Sequence, residues 1–129
     1  MTGTIPTTLF AVFQMTFAII TPALIVGAFT ERMRFSAMLI FSTIWLVFVY
    51  SPVCHWVWGG GWLNELGFVD FAGSTLVHSV GGWCALTGAI ILGARKGKYT
   101  ADGKVNPIPG ANMPLATLGP FVLWFGWFG

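Results

Sequence analysis

The sequence predicts an all-α polytopic membrane protein, and three observations carry that reading. Of 129 residues, 56% are hydrophobic and only 8% charged, with a mean hydropathy of +0.80. Apolar stretches near the length of a bilayer crossing recur along the chain, and the charged residues fall in the connectors between them. A soluble domain carries roughly 25% charged residues and has no need of such runs. Six scattered basic residues and a net charge of +2 do not make the concentrated basic face that nucleic-acid binding requires, so the expected partners are lipid, other helices and a small solute. The N-terminus MTGTIPTTLF lacks the basic n-region of a signal peptide. Cys54 and Cys84 both sit in apolar spans, where cysteine behaves as a small hydrophobe, and no disulfide is inferred.

The first span covers 8–29 and opens just after Pro6, a residue suited to the first turn of a helix. Pro22 lies inside it and is expected to kink it, as membrane helices tolerate when neighbours satisfy the freed carbonyl. The connector TERMRF, Thr30 to Phe35, is short, so the second span, 36–56, is expected to fold back on the first as a tight hairpin. WGGGWLNELG, Trp58 to Gly67, is too glycine-rich and polar to continue a helix. The third span is 70–93. Arg95 to Pro114 holds four basic residues and three prolines and reads as an ordered or semi-ordered loop. The fourth span, 115–129, is still apolar at Gly129 after about 15 residues, short of the roughly 20 a crossing requires, which reads as part of a longer polypeptide. All four spans are taken as one incomplete domain, 1–129. Arg32, Arg34 and the basic loop 95–114 place connectors 30–35 and 95–114 in the cytoplasm, with Met1 and the 58–69 loop outside, by the positive-inside rule.

Candidate chemistry centres on the third span, where His78 interrupts an apolar run. If Asp70 caps that helix directly, His78 lies eight residues in, about 12 Å along the axis. An ionisable side chain at such depth is read as functional by default, with a packing role as the alternative. Ser74, His78 and Gly82 form an i, i+4 row that faces either a narrow lumen or a neighbouring helix. Gly81, Ala85, Ala89 and Gly93 form a small-residue seam that lets a second helix approach closely. On the first span Phe13 and Phe17 share a face one turn apart, with Phe17 at nearly the depth of His78. Trp58 is either an interfacial anchor or a cation–π site, its indole face freed by the three glycines that follow. His55 reads as an interfacial histidine. Asp70 is an N-cap whose charge also lowers the potential for a cation nearby, and Asp70→Asn is expected to keep much of that cap. Paired-carboxylate, phosphate-loop and HExxH or CxxC signatures are lacking, so no enzyme activity, metal or cofactor is expected.

The segments FQMTFAIITPALIVGAFTERMRFSAMLIF, HWVWGGGWL, DFAG, and LVHSVGG leading to FGWFG, taken in that order, resemble the ammonium transporter family (Amt/MEP/Rh), nearest its bacterial Amt branch. The resemblance covers essentially the whole chain. It implies a fold of about eleven helices in two inverted halves, of which this chain supplies four, about the third to the sixth, and a homotrimer in the cell membrane with one pore per subunit. It implies that Phe17 is the first gate phenylalanine, Phe13 its neighbour at the outer vestibule, and Trp58 part of an outer ammonium site. Asp70 matches the aspartate below that site and His78 the first of twin pore histidines. The second gate phenylalanine, the site's serine and the partner histidine would lie in the other half. A PII-type signalling protein is the expected regulator at the cytoplasmic face. Two rival readings are an ammonium sensor of the same family, marked by an appended signalling domain, and a membrane haem protein using His55 and His78 as axial ligands.

Overall fold

A computed structural model describes residues 2–128. Met1, whose side of the membrane was inferred above, and Gly129, the last residue of the fourth span, lie outside the described residues. Among the described residues the regular structure is helical, joined by turns and loops, with two isolated β-bridges, Thr2 to Ile5 and Tyr99 to Val105. In order they form α1 (Thr7–Phe29), α2 (Phe35–Trp45), a π-helical segment (Leu46–Tyr50), α3 (Ser51–Trp58), the single turn α4 (Trp62–Glu65), a second π-helical segment (Ser74–Ser79), α5 (Val80–Leu92) and α6 (Met113–Trp127). The helical runs 7–29, 35–65 and 74–92 are long and apolar enough to cross a membrane, and α6 is a shorter apolar helix. Two compact units divide the chain between Lys96 and Gly97.

In the first unit α1 packs most closely along α5, and less closely on α2. Its core is Ile25, Phe29, Trp45, Tyr50, Val57, Leu76 and Val77. Most other large apolar side chains are exposed, Phe35 and Ile90 at 72% each, and only 11% of the apolar window of α1 is buried within the molecule. Such a surface is stable only against lipid or further protein. α1 runs through Pro22, which has no N–H for the Ala18 carbonyl. One residue earlier, the Thr21 hydroxyl donates to the Phe17 carbonyl at 2.6 Å, and Thr21 is fully buried where α1 meets α5.

Between α2 and α3 the helix widens for a reason the sequence carries in Pro52. A proline ring collides with the carbonyl of the preceding turn, and a π-helical turn relieves that crowding by taking one extra residue. The backbone N–H of Ser51 reaches back five residues to the Leu46 carbonyl, and the Ser51 hydroxyl donates to the same oxygen at 2.9 Å.

The small-residue seam of α5 differs from the expected fourfold repeat. Gly81, Ala85, Gly88 and Leu92 follow the buried stripe, whereas Gly93 ends the helix with φ +72° and its carbonyl accepts from Arg32 Nη1 at 2.7 Å. An α-helix turns 3.6 residues per revolution, so a stripe that stays on one side alternates steps of four and three and passes through Gly88. A Cβ on Gly88 would overlap the ring of Phe29, itself 4% exposed and edge-on to Phe41 at 5.3 Å.

The second unit begins with an ordered turn. The Asn106 amide donates to the Gly97 carbonyl at 2.9 Å, Thr100 N to Lys104 O at 3.0 Å, and Lys104 pairs with Asp102 at 3.3 Å. Asn112 caps α6 by accepting from Leu115 N at 2.9 Å.

Gly88→Ala is expected to destabilise the protein by about 1–3 kcal/mol, as overpacking does. Gly82→Ala, whose Cβ meets nothing within 4 Å, is expected to change stability little. Thermal unfolding in detergent measures both, and equal melting temperatures for the two variants would contradict the packing described.

Candidate functional site

The loop ahead of the third long helix is organised by Asp70, which is 9% exposed. Its Oδ1 accepts from the backbone N–H groups of Gly73 at 2.7 Å and Ser74 at 2.9 Å, and its Oδ2 from those of Thr75 at 2.7 Å and Leu76 at 3.1 Å. Four consecutive amides that a helix start leaves without acceptors are thus satisfied by one side chain. Burial pushes the carboxyl's pKa up, and the hydrogen bonds from Leu76, Thr75, Gly73 and Ser74 outweigh it, holding the group below the usual carboxylate value. The chain bends back on itself to allow this. Gly73 has φ +94°, and a Cβ there would come within 2.8 Å of Val77 Cγ2.

The helix therefore starts at Ser74 rather than immediately after Asp70. His78 lies four residues beyond that start, about 6 Å along the axis instead of the 12 Å expected. It also sits in a π-helical turn, its N–H bonding five residues back to the Gly73 carbonyl at 3.0 Å, an oxygen shared with the Val77 N–H. Nothing in the apolar periodicity announces such a turn.

Asp70 joins the aromatic residues through its backbone. The Trp58 indole Nε1 donates to the Asp70 carbonyl at 2.6 Å, and the ring meets Phe17 edge-on with centroids 5.2 Å apart. Phe17 meets Phe13 in the same way at 5.1 Å. The glycines after Trp58 were expected to let the backbone turn and expose the indole face, and the indole is half-buried. The glycines instead close a tight turn, in which Gly61 N–H donates to the His55 carbonyl at 3.0 Å and a Cβ on Gly61 would stand 2.6 Å from Trp56 Cα. The indole, half-buried, is held at both its polar and apolar edges. Trp56 and Trp62 are exposed and lie beside each other at 6.0 Å, as interfacial tryptophans would.

The structure thus brings Phe13, Phe17, Trp58 and Asp70 into one contiguous series and leaves His78 outside it. Leu76 and Val77 point into the core, while Ser74, His78 and Gly82 are all exposed, so no described helix of the first unit covers that row. His55 is likewise exposed. Among the described residues no three His, Cys, Asp or Glu side chains gather as metal ligands. The chemistry available is the negative face of edge-on aromatic rings, which attracts a cation, beside a carboxylate whose two oxygens are already committed to amides. Sequence reasoning missed Gly73, whose position three residues after Asp70 and one before the apolar run is the signal that the cap is a loop.

Both oxygens being engaged, Asp70→Asn sets an amide N–H₂ against two backbone donors and keeps the half of the cap that its remaining oxygen accepts. Asp70→Asn and Asp70→Ala are each expected to cost about 2 kcal/mol or more. A carboxyl with a lowered folded pKa contributes stability that is present above its unfolded value, near 3.8, and is lost as pH falls through the folded one. Melting temperature against pH checks this: the wild type should lose stability below pH ~3.8, and Asp70→Ala should lose less over that interval. Parallel curves would contradict it.

Comparison with known proteins agrees with this architecture. The model of the Ammonium Transporter Family matches residues 1–129. An ammonium transporter of Bacillus subtilis (strain 168) is 52% identical over 126 residues, 98% of this chain and 30% of its own length. An ammonium transporter of Aquifex aeolicus (strain VF5) is 53% identical over 124 residues, 96% of this chain and 27% of its own length. Ammonium transporter 1 of Dictyostelium discoideum is 45% identical over 126 residues, 97% and 27% respectively. No solved structure matches. The chain spans about 30% of the length of the curated relatives it matches, and it belongs to the ammonium transporter family.

Proposed function

We propose that this chain supplies one side of a pathway that recruits ammonium at an aromatic mouth and passes ammonia through an apolar pore. The observation that carries the reading is the Trp58 indole, fixed between the Phe17 ring and the Asp70 carbonyl. A preset aromatic face binds a cation without first having to order itself. Asp70 acts on the mouth as the group that anchors Trp58 and the following helix, and as a nearby negative charge.

Ammonium and potassium are close in size, so size is a poor discriminator, but only ammonium can shed a proton. An apolar passage penalises the charged form of either ion by desolvation, and the neutral molecule escapes that penalty. In this reading Phe13 and Phe17 guard the entrance. His78, on the uncovered row with Ser74 and Gly82, lines the passage and takes part in proton relay with groups outside this chain. The relatives' names support transport rather than sensing. The same reading places the mouth outside the cell membrane, the connectors 30–35 and 95–114 in the cytoplasm, three such subunits together, and a PII-type protein against the cytoplasmic face. These rest on family membership and on the distribution of basic residues.

Uptake of labelled methylammonium by cells carrying the complete transporter to which this chain contributes tests the assignment. Trp58→Leu should raise the half-saturating concentration by about 2- to 30-fold, the range of a cation–π contact, with less effect at saturation. His78→Ala should alter the rate or the ammonium-to-potassium ratio without changing the amount of folded protein. Uptake unchanged at every concentration in Trp58→Leu would contradict the proposed mouth.

A further inference from the structure

A cleft of about 450 Å³ in the first unit gathers polar groups that the aromatic mouth leaves unused. Gln14 and Ala18 line it from α1, and Tyr50, Cys54 and His55 line it from the run that leads into Trp58, itself the member of the lining that belongs to the mouth. Eight residues, about 12 Å of helix, separate Tyr50 from Trp58, so the cleft reaches from the mouth into the apolar span. Among the described residues its lining holds no Asp, Glu, Lys or Arg.

Two polar groups here lack the partner that regular structure would give them. Tyr50 is 4% exposed, and its hydroxyl oxygen is buried with no hydrogen-bond partner among the described residues. Its polar neighbours are Cys54 and Thr21. The thiol is a weak partner, and the Thr21 hydroxyl already donates to the Phe17 carbonyl at 2.6 Å. The second group is the Ala18 carbonyl, whose α-helical donor is removed by Pro22. Thr21 and Ala18 are three residues apart on α1, so the hydroxyl beside Thr21 stands within a turn of that carbonyl. A buried hydroxyl left unpaired costs the full desolvation of the group, and membrane helices re-satisfy a proline-freed carbonyl with a neighbouring side chain or ordered water.

We propose that this cleft is a binding site for ordered water, in which one molecule bridges the Tyr50 hydroxyl to the Ala18 carbonyl and ties α1, just past Phe17, to the helix that carries Trp58. Water fits where other occupants do not. It needs two to four polar partners and about 30 Å³, and the cleft supplies a hydroxyl and a carbonyl at its deep end. Gln14 and His55, nearer the level of Trp58, offer an amide and an imidazole to further molecules. An ion would find no opposite charge among the lining side chains. The bridge lets α1 run through Pro22 with its freed carbonyl paired, and so holds the Phe17 ring edge-on to Trp58. The proposal rests on helix geometry and not on ammonium transport, so its failure would leave the transport reading untouched.

Cryo-electron microscopy of the complete transporter to which this chain contributes, at a resolution that shows ordered water, tests it. The wild type should show a water about 2.8 Å from Tyr50 Oη and within hydrogen-bond reach of the Ala18 carbonyl. Tyr50→Phe, which keeps the ring and loses the hydroxyl, should lose that density, and Pro22→Ala, which returns an N–H to the carbonyl, should weaken it. Radiolytic hydroxyl labelling reads the same site in solution, because radicals form from bound water in place. After correction for intrinsic reactivity, Tyr50 should be labelled several-fold faster than Trp45, which is equally buried in an apolar groove, and Pro22→Ala should reduce that excess. A dry cleft, or a side chain of the remaining polypeptide bonded to Tyr50 Oη, would overturn the proposal. So would labelling of Tyr50 no faster than of Trp45, or a water that is unchanged in Pro22→Ala.

Discussion

Both oxygens of Asp70 accept from four consecutive backbone N–H groups, Gly73 to Leu76, and the rest of the site depends on that commitment. It sets where the third long helix begins, and therefore how deep His78 lies. It also fixes the peptide whose carbonyl receives the Trp58 indole, and through Trp58 it positions an edge of Phe17. A polar group in a membrane protein is costly unless satisfied, and here one carboxylate satisfies a whole helix start. Its negative charge is held in the folded state because the amides around it favour the ionised form more than burial disfavours it.

The same economy appears along the other helices. Widened turns occur at Leu46–Tyr50, ahead of Pro52, and at Ser74–Ser79, which contains His78. Each shifts the side chains that follow by about a third of a turn, since one extra residue adds roughly 100°. Trp58 lies beyond the first and meets Phe17 and the Asp70 carbonyl. The second leaves Leu76 and Val77 facing α1 while His78 stays on the uncovered side. The candidate residues accordingly fall into two groups of different character, an aromatic cluster fixed by Asp70 and an exposed row with His78.

Much of this was legible in the residues. Composition and span length gave an all-helical membrane protein, and the motifs around Phe13, Trp58, Asp70 and His78 gave the family. Apolar runs report helices because burial dominates their pattern, and an acidic residue before such a run reports a cap. What was not legible depends on geometry that periodicity does not encode. The cap reaches three to six residues ahead through a left-handed Gly73, so a simple one-residue cap overestimated the depth of His78. The glycines after Trp58 read as freedom and act as a close approach to His55 and Trp56. Gly88 escaped a fourfold repeat because the buried stripe steps by three there. The Arg32 bond to Gly93 spans 61 residues, and no local pattern foretells it.

Amide hydrogen exchange of Gly73, Ser74, Thr75 and Leu76 in the detergent-solubilised protein probes the central interaction directly. With Asp70 ionised, the four amides should exchange together and at least about 100-fold more slowly than those of Phe71 and Ala72, after correction for intrinsic rates. Exchange of all four at the rate of the preceding loop would mean that the carboxylate does not hold the start of the helix, and the account of the mouth built on it would fail.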